Sequence, residues 1–439
     1  MKIVYLAAGA GGMYCGSCLH DNTLAAALLD LGEDILLVPT YTPIRTDEAD
    51  VSEKRVMFGG ISVYLQQKWS LFRHTPWLLD KLWDRPKLID WLARRSISTA
   101  AEDLGDLTVS MLRGEEGNQR KEVEKIVHWL AHDVRPDIVH LSNSMLVGMA
   151  REIRRKLNVP IVCTLSGEDI FLEKLAAPHY QQARDALRER VSDVTAFVSL
   201  NQYYADFMVD YAGIPRERIH VIPHGLKLAG HGGQPRRTDG PEFTIGYFAR
   251  ICHDKGLHHL VDAFTLLAKD SDLPPISLRV AGYLGAADRP YLQALQQKLQ
   301  SAGLHDRFQY LGELNRAGKI DFLSSLDAMS VPTVYRESKG LSILEAWANA
   351  VPVVLPEHGT FPELIRDTGG GLLHEPENPQ ALARALRQLI LDPASARNLG
   401  LAAQQAIRDR YTAETMARRT LDLYRSLVPT SVSEKAMHP

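Results

Sequence analysis

Short apolar runs, each followed by a helical pattern, recur through the 439 residues of this chain. The first half carries them at residues 2–7, 35–38, 137–141, 160–165, 194–199 and 219–222, the second at 243–248, 276–281 and 353–355. A run without polar alternation, such as 160–165 or 353–355, belongs to a strand covered on both faces, and intervening helices make such strands parallel. Between the two series lie residues 229–242, the stretch richest in glycine, proline and polar side chains, which reads as a linker. The chain is too long for one ordinary domain. The pattern therefore predicts an α/β protein of two Rossmann-like, doubly wound domains, residues 1–228 and 243–410.

Composition narrows the function. With 45% hydrophobic residues both halves can build a core, and a net charge of −3 exerts no general pull on nucleic acid or anionic membrane. Residues 2–7 read as the first strand and not as part of a signal peptide. No stretch approaches the roughly 20 apolar residues of a transmembrane helix. Four cysteines, with Cys163 and Cys252 isolated, argue against a disulfide framework and for a reducing, cytoplasmic setting.

Residues 331–357 hold the strongest chemical signal. They read as a short strand from Val331, a polar loop carrying Glu337, and a helix opening near Gly340 that Pro352 ends. Glu345 falls mid-helix beside Leu344, Ala346 and Ala348, where an acid needs a reason. Between the two glutamates lies a helix N-terminus, whose unbonded N–H groups and positive dipole end attract anions. Acid, anion site, acid suits a sugar, a diphosphate and a ribose laid end to end. In the first loop of the second half, Arg250 and Lys255 precede Gly256 and a helix start, a second arrangement that would clamp an anion.

Other motifs leave two readings each. The glycine-rich loop at residues 8–18 is either a tight turn or a phosphate contact. Within it, Cys15-Gly-Ser-Cys18 is either a thiol–disulfide centre at a helix start or a pair that merely fills the loop. No second C-x-x-C completes a zinc site. Residues 61–95 hold four of the six tryptophans and seven basic against three acidic side chains. They either lie on a membrane surface or grip a glycan, or are helices packed on the first domain with a solvated face. His140, Ser166 and Ser199 end strands, where ligands gather in a parallel sheet, or are hydrogen-bonded structural groups. Asp270-Ser-Asp272, ahead of Pro274-Pro275, reads as a turn more than as a metal–diphosphate site, so no metal is expected.

With these residues the chain resembles the GT-B glycosyltransferases, and specifically the retaining glycosyltransferase family 4. The likeness spans nearly the whole chain. It rests on Glu337 and Glu345 with seven residues between them, followed by Ala346 and Pro352-Val-Val. It rests also on Ala249-Arg250-Ile251 with Lys255-Gly256, on Ile222-Pro-His224-Gly225, and on Pro362-Glu363-Leu-Ile. The resemblance implies two domains facing a cleft, the first on the acceptor side and the second binding a nucleotide sugar. A helix at 411–428 would cross back to the first domain, leaving a flexible tail at 429–439. Glu337 would bind hydroxyls of the donor sugar and Glu345 those of the ribose. Ser338 and the backbone N–H groups of Gly340, Leu341 and Ser342 would hold the diphosphate from one side, Arg250 and Lys255 from the other.

On the acceptor and phosphate side, Gly16 matches the second glycine of the family's Gly-Gly pair, with Cys15 in place of the first. His140 matches the first histidine of its His-x-His element. Ser142, Ser166, His224 and Lys339 depart from the pattern, so the acceptor is not legible. The implied reaction moves a sugar from a nucleotide-diphosphate sugar to a hydroxyl of a glycan, lipid or small molecule, with retention and without a metal or other cofactor. Arg250, Lys255 and Glu337 are the expected catalytic residues, the cations stabilising charge on the leaving oxygen. Residues 61–95 would supply any peripheral contact with the inner membrane face; nucleic acid is not an expected partner. The rivals are a sugar-nucleotide epimerase of the same fold, a non-catalytic nucleotide-sugar-binding protein, and a redox protein built on Cys15 and Cys18.

Overall fold

The computed structural model describes residues 1–9, 16–54, 56–57, 101–232 and 242–429. They form two compact units. One comprises Met1–Ser199, Ala205–Ile222 and the chain from Met416; the other comprises Leu200–Tyr204 and Pro223–Thr415.

The first unit is built on six parallel strands: β1 (Lys2–Ala7), β2 (Asp34–Pro39), β3 (Ile138–Leu141), β4 (Ile161–Leu165), β5 (Ala196–Ser199) and β6 (Ile219–Val221). Their order is β2-β1-β3-β4-β5-β6. Ile3, Val4, Leu6, Ile138, Val139, Ile161 and Val162 are wholly buried, as expected of strands that helices cover on both faces. The second unit repeats the plan with β7 (Phe243–Phe248), β8 (Ile276–Ala281), β9 (Phe308–Tyr310), β10 (Ala328–Met329), β11 (Val353–Pro356) and β12 (Gly371–His374). Its order is β12-β11-β10-β7-β8-β9, again parallel throughout.

That order positions the site. From β7 the chain winds outward through β8 and β9, then returns to lay β10 on the other flank of β7. Loops leaving β7 and β10 at their carboxyl ends therefore diverge over opposite faces, opening a crevice where a doubly wound sheet binds ligands. Arg250 and Lys255 follow β7, and Glu337 follows β10. In the first unit the corresponding reversal lies between β1 and β3, beside the start of helix Gly16–Asp30.

Two details differ from the sequence reading. The short strand expected from Val331 lies upstream, at Ala328–Met329, with Ala328 opposite Ile245 and Met329 opposite Gly246. Beyond it the backbone leaves the sheet because Val334 N–H bonds to Asp254 O at 2.9 Å, in the neighbouring loop. After contributing Leu200–Tyr204, the chain passes into the second unit for its long stretch at Pro223, ahead of the expected linker. Residues 223–232 are tied there by Leu226 N–H to Tyr411 O at 2.8 Å and Ala413 N–H to Leu226 O at 2.9 Å. Most of the expected linker, the 61–95 segment, Cys15 and all but the first residue of the expected tail lie outside the described residues.

Candidate active site

The loops after β7 and β10 are laced together. Gly256 has φ +72°, and a Cβ there would stand 1.7 Å from the carbonyl oxygen of Pro332. Only a residue without a side chain permits that approach. It carries Lys255 to the neighbouring loop, where its Nζ lies 2.6 Å from Glu337 Oε2. Tyr335 donates its hydroxyl to the same oxygen at 2.9 Å, and its ring lies 4.9 Å from the lysine ammonium. Glu337 Oε1 accepts from the backbone N–H groups of Ser338 and Lys339, each at 3.1 Å. Burial alone would raise the Glu337 carboxyl, but Lys255 and these donors outweigh it and hold the group at about 2. Burial would likewise lower Lys255, and the carboxylate reverses that, raising it. Each partner thus favours the charged form of the other.

The surroundings hold this pair in place. Tyr247, fully buried on β7, shares its hydroxyl hydrogen between the carbonyls of Arg250 at 3.2 Å and Lys255 at 3.3 Å. From the loop after β11, Thr360 N–H bonds to Glu337 O at 2.8 Å, and His358 Nε2 lies 2.9 Å from Thr333 O. Arg250 is exposed; its Nε lies 3.3 Å from Cys252 Sγ, with Tyr335 and Asp288 among its electrostatic neighbours.

The helix after Glu337 spans Leu341–Ala348, with Gly340 as its N-cap. The first N–H to bond back belongs to Ile343, at 3.0 Å from Gly340 O. Backbone N–H groups at Leu341 and Ser342 thus stand at the positive end of the helix. Ser338 and Glu345 are both buried. Glu345 Oε1 lies 2.5 Å from Lys319 Nζ. The structure thus places Arg250, Lys255, Glu337, Ser338, Gly340, Leu341, Ser342 and Glu345 in the loops and helix that follow the two central strands β7 and β10. Sequence reasoning missed Tyr247, Tyr335 and Lys319. Lys319 left a signal: with Phe322 and Leu323 it completes an i, i+3, i+4 stripe that should be apolar throughout.

Asp270 and Asp272 form a turn, with Asp272 N–H bonded to Asp270 Oδ1 at 3.0 Å. Both carboxylates pair with Arg387, at 2.7 and 3.3 Å. Among the described residues no group of three or more His, Cys, Asp or Glu side chains is arranged to hold a metal ion, and no helix is long and apolar enough to cross a membrane.

Gly16 and His140 belong to the first unit. Gly16 opens helix Gly16–Asp30. His140 is fully buried: Nδ1 meets the Tyr424 hydroxyl and Nε2 lies 2.7 Å from Thr164 Oγ1. It is packed against the Tyr5 ring at 4.4 Å. Ser166 bonds to Glu168 through both its N–H and its hydroxyl, and Ser142 Oγ accepts from Ala8 N–H at 3.2 Å.

Burial, and secondarily the charge of His20, lowers His140 to about 3. The folded chain thus keeps this imidazole neutral while an unfolded one, titrating near about 6.5, takes up a proton. Its contribution to stability is present above that value and is lost as pH falls toward about 3. His374, lowered by burial to about 4, acts in the same sense. We expect the melting temperature to fall steadily from pH 7 to pH 4; a flat profile between pH 6.5 and 4.5 would contradict this.

Comparison with known proteins gives a consistent result. The family model for Glycosyltransferase Family 4 matches residues 111–229, and that for Glycosyl transferases group 1 matches residues 234–406. A glycogen synthase of Mycobacterium tuberculosis is 26% identical over 296 residues, 66% of this chain and 69% of that protein. A D-inositol 3-phosphate glycosyltransferase of Corynebacterium urealyticum is 31% identical over 193 residues, 44% of each chain. Among solved structures, Anabaena HepE in complex with UDP aligns with 97% of this chain and 100% of its own, with a TM-score of 0.68 at 18% identity. Sucrose-phosphate synthase from Thermosynechococcus elongatus aligns over 97% and 99%, with a TM-score of 0.69 at 16% identity. At such identities these two likenesses concern the fold.

Proposed function

The chain belongs to glycosyltransferase family 4 and is a glycosyltransferase of GT-B fold; on that premise we propose that it moves a sugar from a nucleotide-diphosphate sugar to a hydroxyl acceptor, with retention of configuration and without a metal. One observation carries the reading. Two cations in the loop after β7 and a helix N-terminus after β10 stand at the reversal point of the second sheet, and one of the cations, Lys255, is paired with Glu337.

Breaking a sugar–diphosphate bond develops negative charge on the leaving oxygen. In this reading Arg250 and the backbone N–H groups at Gly340, Leu341 and Ser342 would stabilise that charge as it grows. Lys255 serves the same end while its pairing keeps Glu337 ionised. An ionised Glu337, two of whose four contacts are backbone donors, is poised to orient sugar hydroxyls. Glu345 would take the ribose. The HepE structure, solved with UDP, supports a nucleotide donor. The retained configuration and a glycan, lipid or small-molecule acceptor extend this reading from the family.

A thermal-shift screen with UDP-, GDP- and ADP-sugars tests the donor. At a concentration of about 100 times Kd a bound donor adds about 2.7 kcal/mol of stability, which registers as a clear upward shift. No shift with any donor, together with no turnover against an acceptor panel, would end the proposal. Donor binding without turnover would point to a binding protein, and donor turnover without transfer to any acceptor to an epimerase. Activity should survive EDTA; a strict Mg²⁺ requirement would overturn the metal-free mechanism.

A further inference from the structure

Lys319 and Glu345 form an ion pair in which both side chains are almost completely withdrawn from water, at 4% and 5% exposure, with Nζ and Oε1 2.5 Å apart. Lys319 stands on helix Arg316–Ser324, whose start is capped by the Asn315 side chain accepting from Gly318 N–H at 2.9 Å. Glu345 stands one turn into helix Leu341–Ala348, and Asn349 bonds to its carbonyl at 2.9 Å. Removing a lysine and a glutamate from water costs more than an apolar pair of the same volume would, so stability gives no reason for the pair. Its neighbours Phe322 and Leu323 are what a core position ordinarily carries.

Chemistry supplies a reason. A vicinal diol donates two O–H bonds, and an ionised carboxylate is its natural acceptor. A carboxylate withdrawn from water, near the diphosphate that the same site would hold, is driven toward its protonated form by burial and by like charge. A cation bonded to one of its oxygens opposes both effects and fixes the plane of the group.

We propose that Lys319 is a positioning residue for the donor nucleotide: it holds Glu345 ionised and oriented for the ribose diol, and so makes the site select ribose over 2′-deoxyribose. This rests on the reading of Glu345 as the ribose ligand. Lys319 itself touches neither sugar nor phosphate.

The test compares binding of UDP, GDP and ADP with that of their 2′-deoxy counterparts by calorimetry. For the base preferred by the wild-type protein, the ribo form should bind at least about tenfold more tightly. Lys319→Met should reduce that preference to about twofold or less and raise the donor KM while kcat changes little, since a hydrogen bond made in ground and transition state alike is lost. Lys319→Arg should keep most of the preference. Should Lys319→Met fail to fold, the double variant Lys319→Met, Glu345→Gln leaves no unpaired charge and should also lose the preference. A folded Lys319→Met or double variant that discriminates as the wild type does overturns the inference. Glu345→Gln separates the layers. If it abolishes the preference while Lys319→Met does not, the inference on Lys319 fails alone; if it leaves the preference intact, the reading of Glu345 fails.

Discussion

Arg250→Ala should lower kcat by about 10²–10³ with the melting temperature nearly unchanged. Arg250 is exposed, and its side-chain bond, from Nε to Cys252 Sγ at 3.3 Å, is to a weak acceptor, so its loss costs the fold little. What disappears is a fixed cation where charge develops on the leaving oxygen. Lys255→Ala should lower kcat comparably but for two reasons. It removes a cation, and it leaves the buried Glu337 carboxylate without its counter-charge, which costs about 3–5 kcal/mol of stability. The carboxyl, held at about 2 in the native protein, then rises. Activity that needs Glu337 ionised would be lost in the variant as pH falls through that raised value, an acid limb the wild type lacks near neutrality. Steady-state rates across pH 5–8 check both variants. Wild-type turnover in each would remove the clamp from the mechanism.

Gly256→Ala should cost about 3 kcal/mol or more, from two physical sources. The residue has φ +72°, strained for any side chain, and its Cβ would meet Pro332 O at 1.7 Å, a contact only backbone movement could relieve. Such movement would draw Lys255 away from Glu337, so activity should fall with stability. Gly369→Ala is the control. It too has positive φ, +65°, but nothing lies within 4 Å of the place its methyl group would take, so only the conformational cost of about 1–2 kcal/mol applies. Equal losses in the two variants, measured by thermal melts, would show that the close approach between loops does not matter.

Legibility along the chain followed burial. Strands β1, β4 and β7 were plain in the sequence because both their faces are covered, which demands largely apolar runs; β8 showed itself by alternation, with Ser277 and Arg279 between buried apolar residues. β10 was misplaced because two residues carry no periodicity, and β9, with an exposed Gln309 between two half-buried aromatics, is too short to announce itself. The 331–340 segment opens on the β-branched residues Val331, Thr333 and Val334, which favour a strand, yet Asp254 O and Gly256 draw it out of the sheet. His140 left two readings, a pocket residue or a hydrogen-bonded structural group, because one of its partners, Tyr424, lies 284 positions away, beyond any local pattern.

The sequence by itself determined the class of fold, since alternating buried strands and helices admit few other arrangements, and it marked Arg250, Lys255, Glu337 and Glu345, since charge at a strand end or in a helix core must be accounted for. Only the tertiary structure decided how those charges are used. Strand order brought the loops after β7 and β10 side by side, and Gly256 let them touch. Lys255 thereby became the partner of Glu337, and Lys319 that of Glu345. Pairing depends on distance in space, and residues 82 and 26 positions apart acquire that distance only when the sheet is assembled.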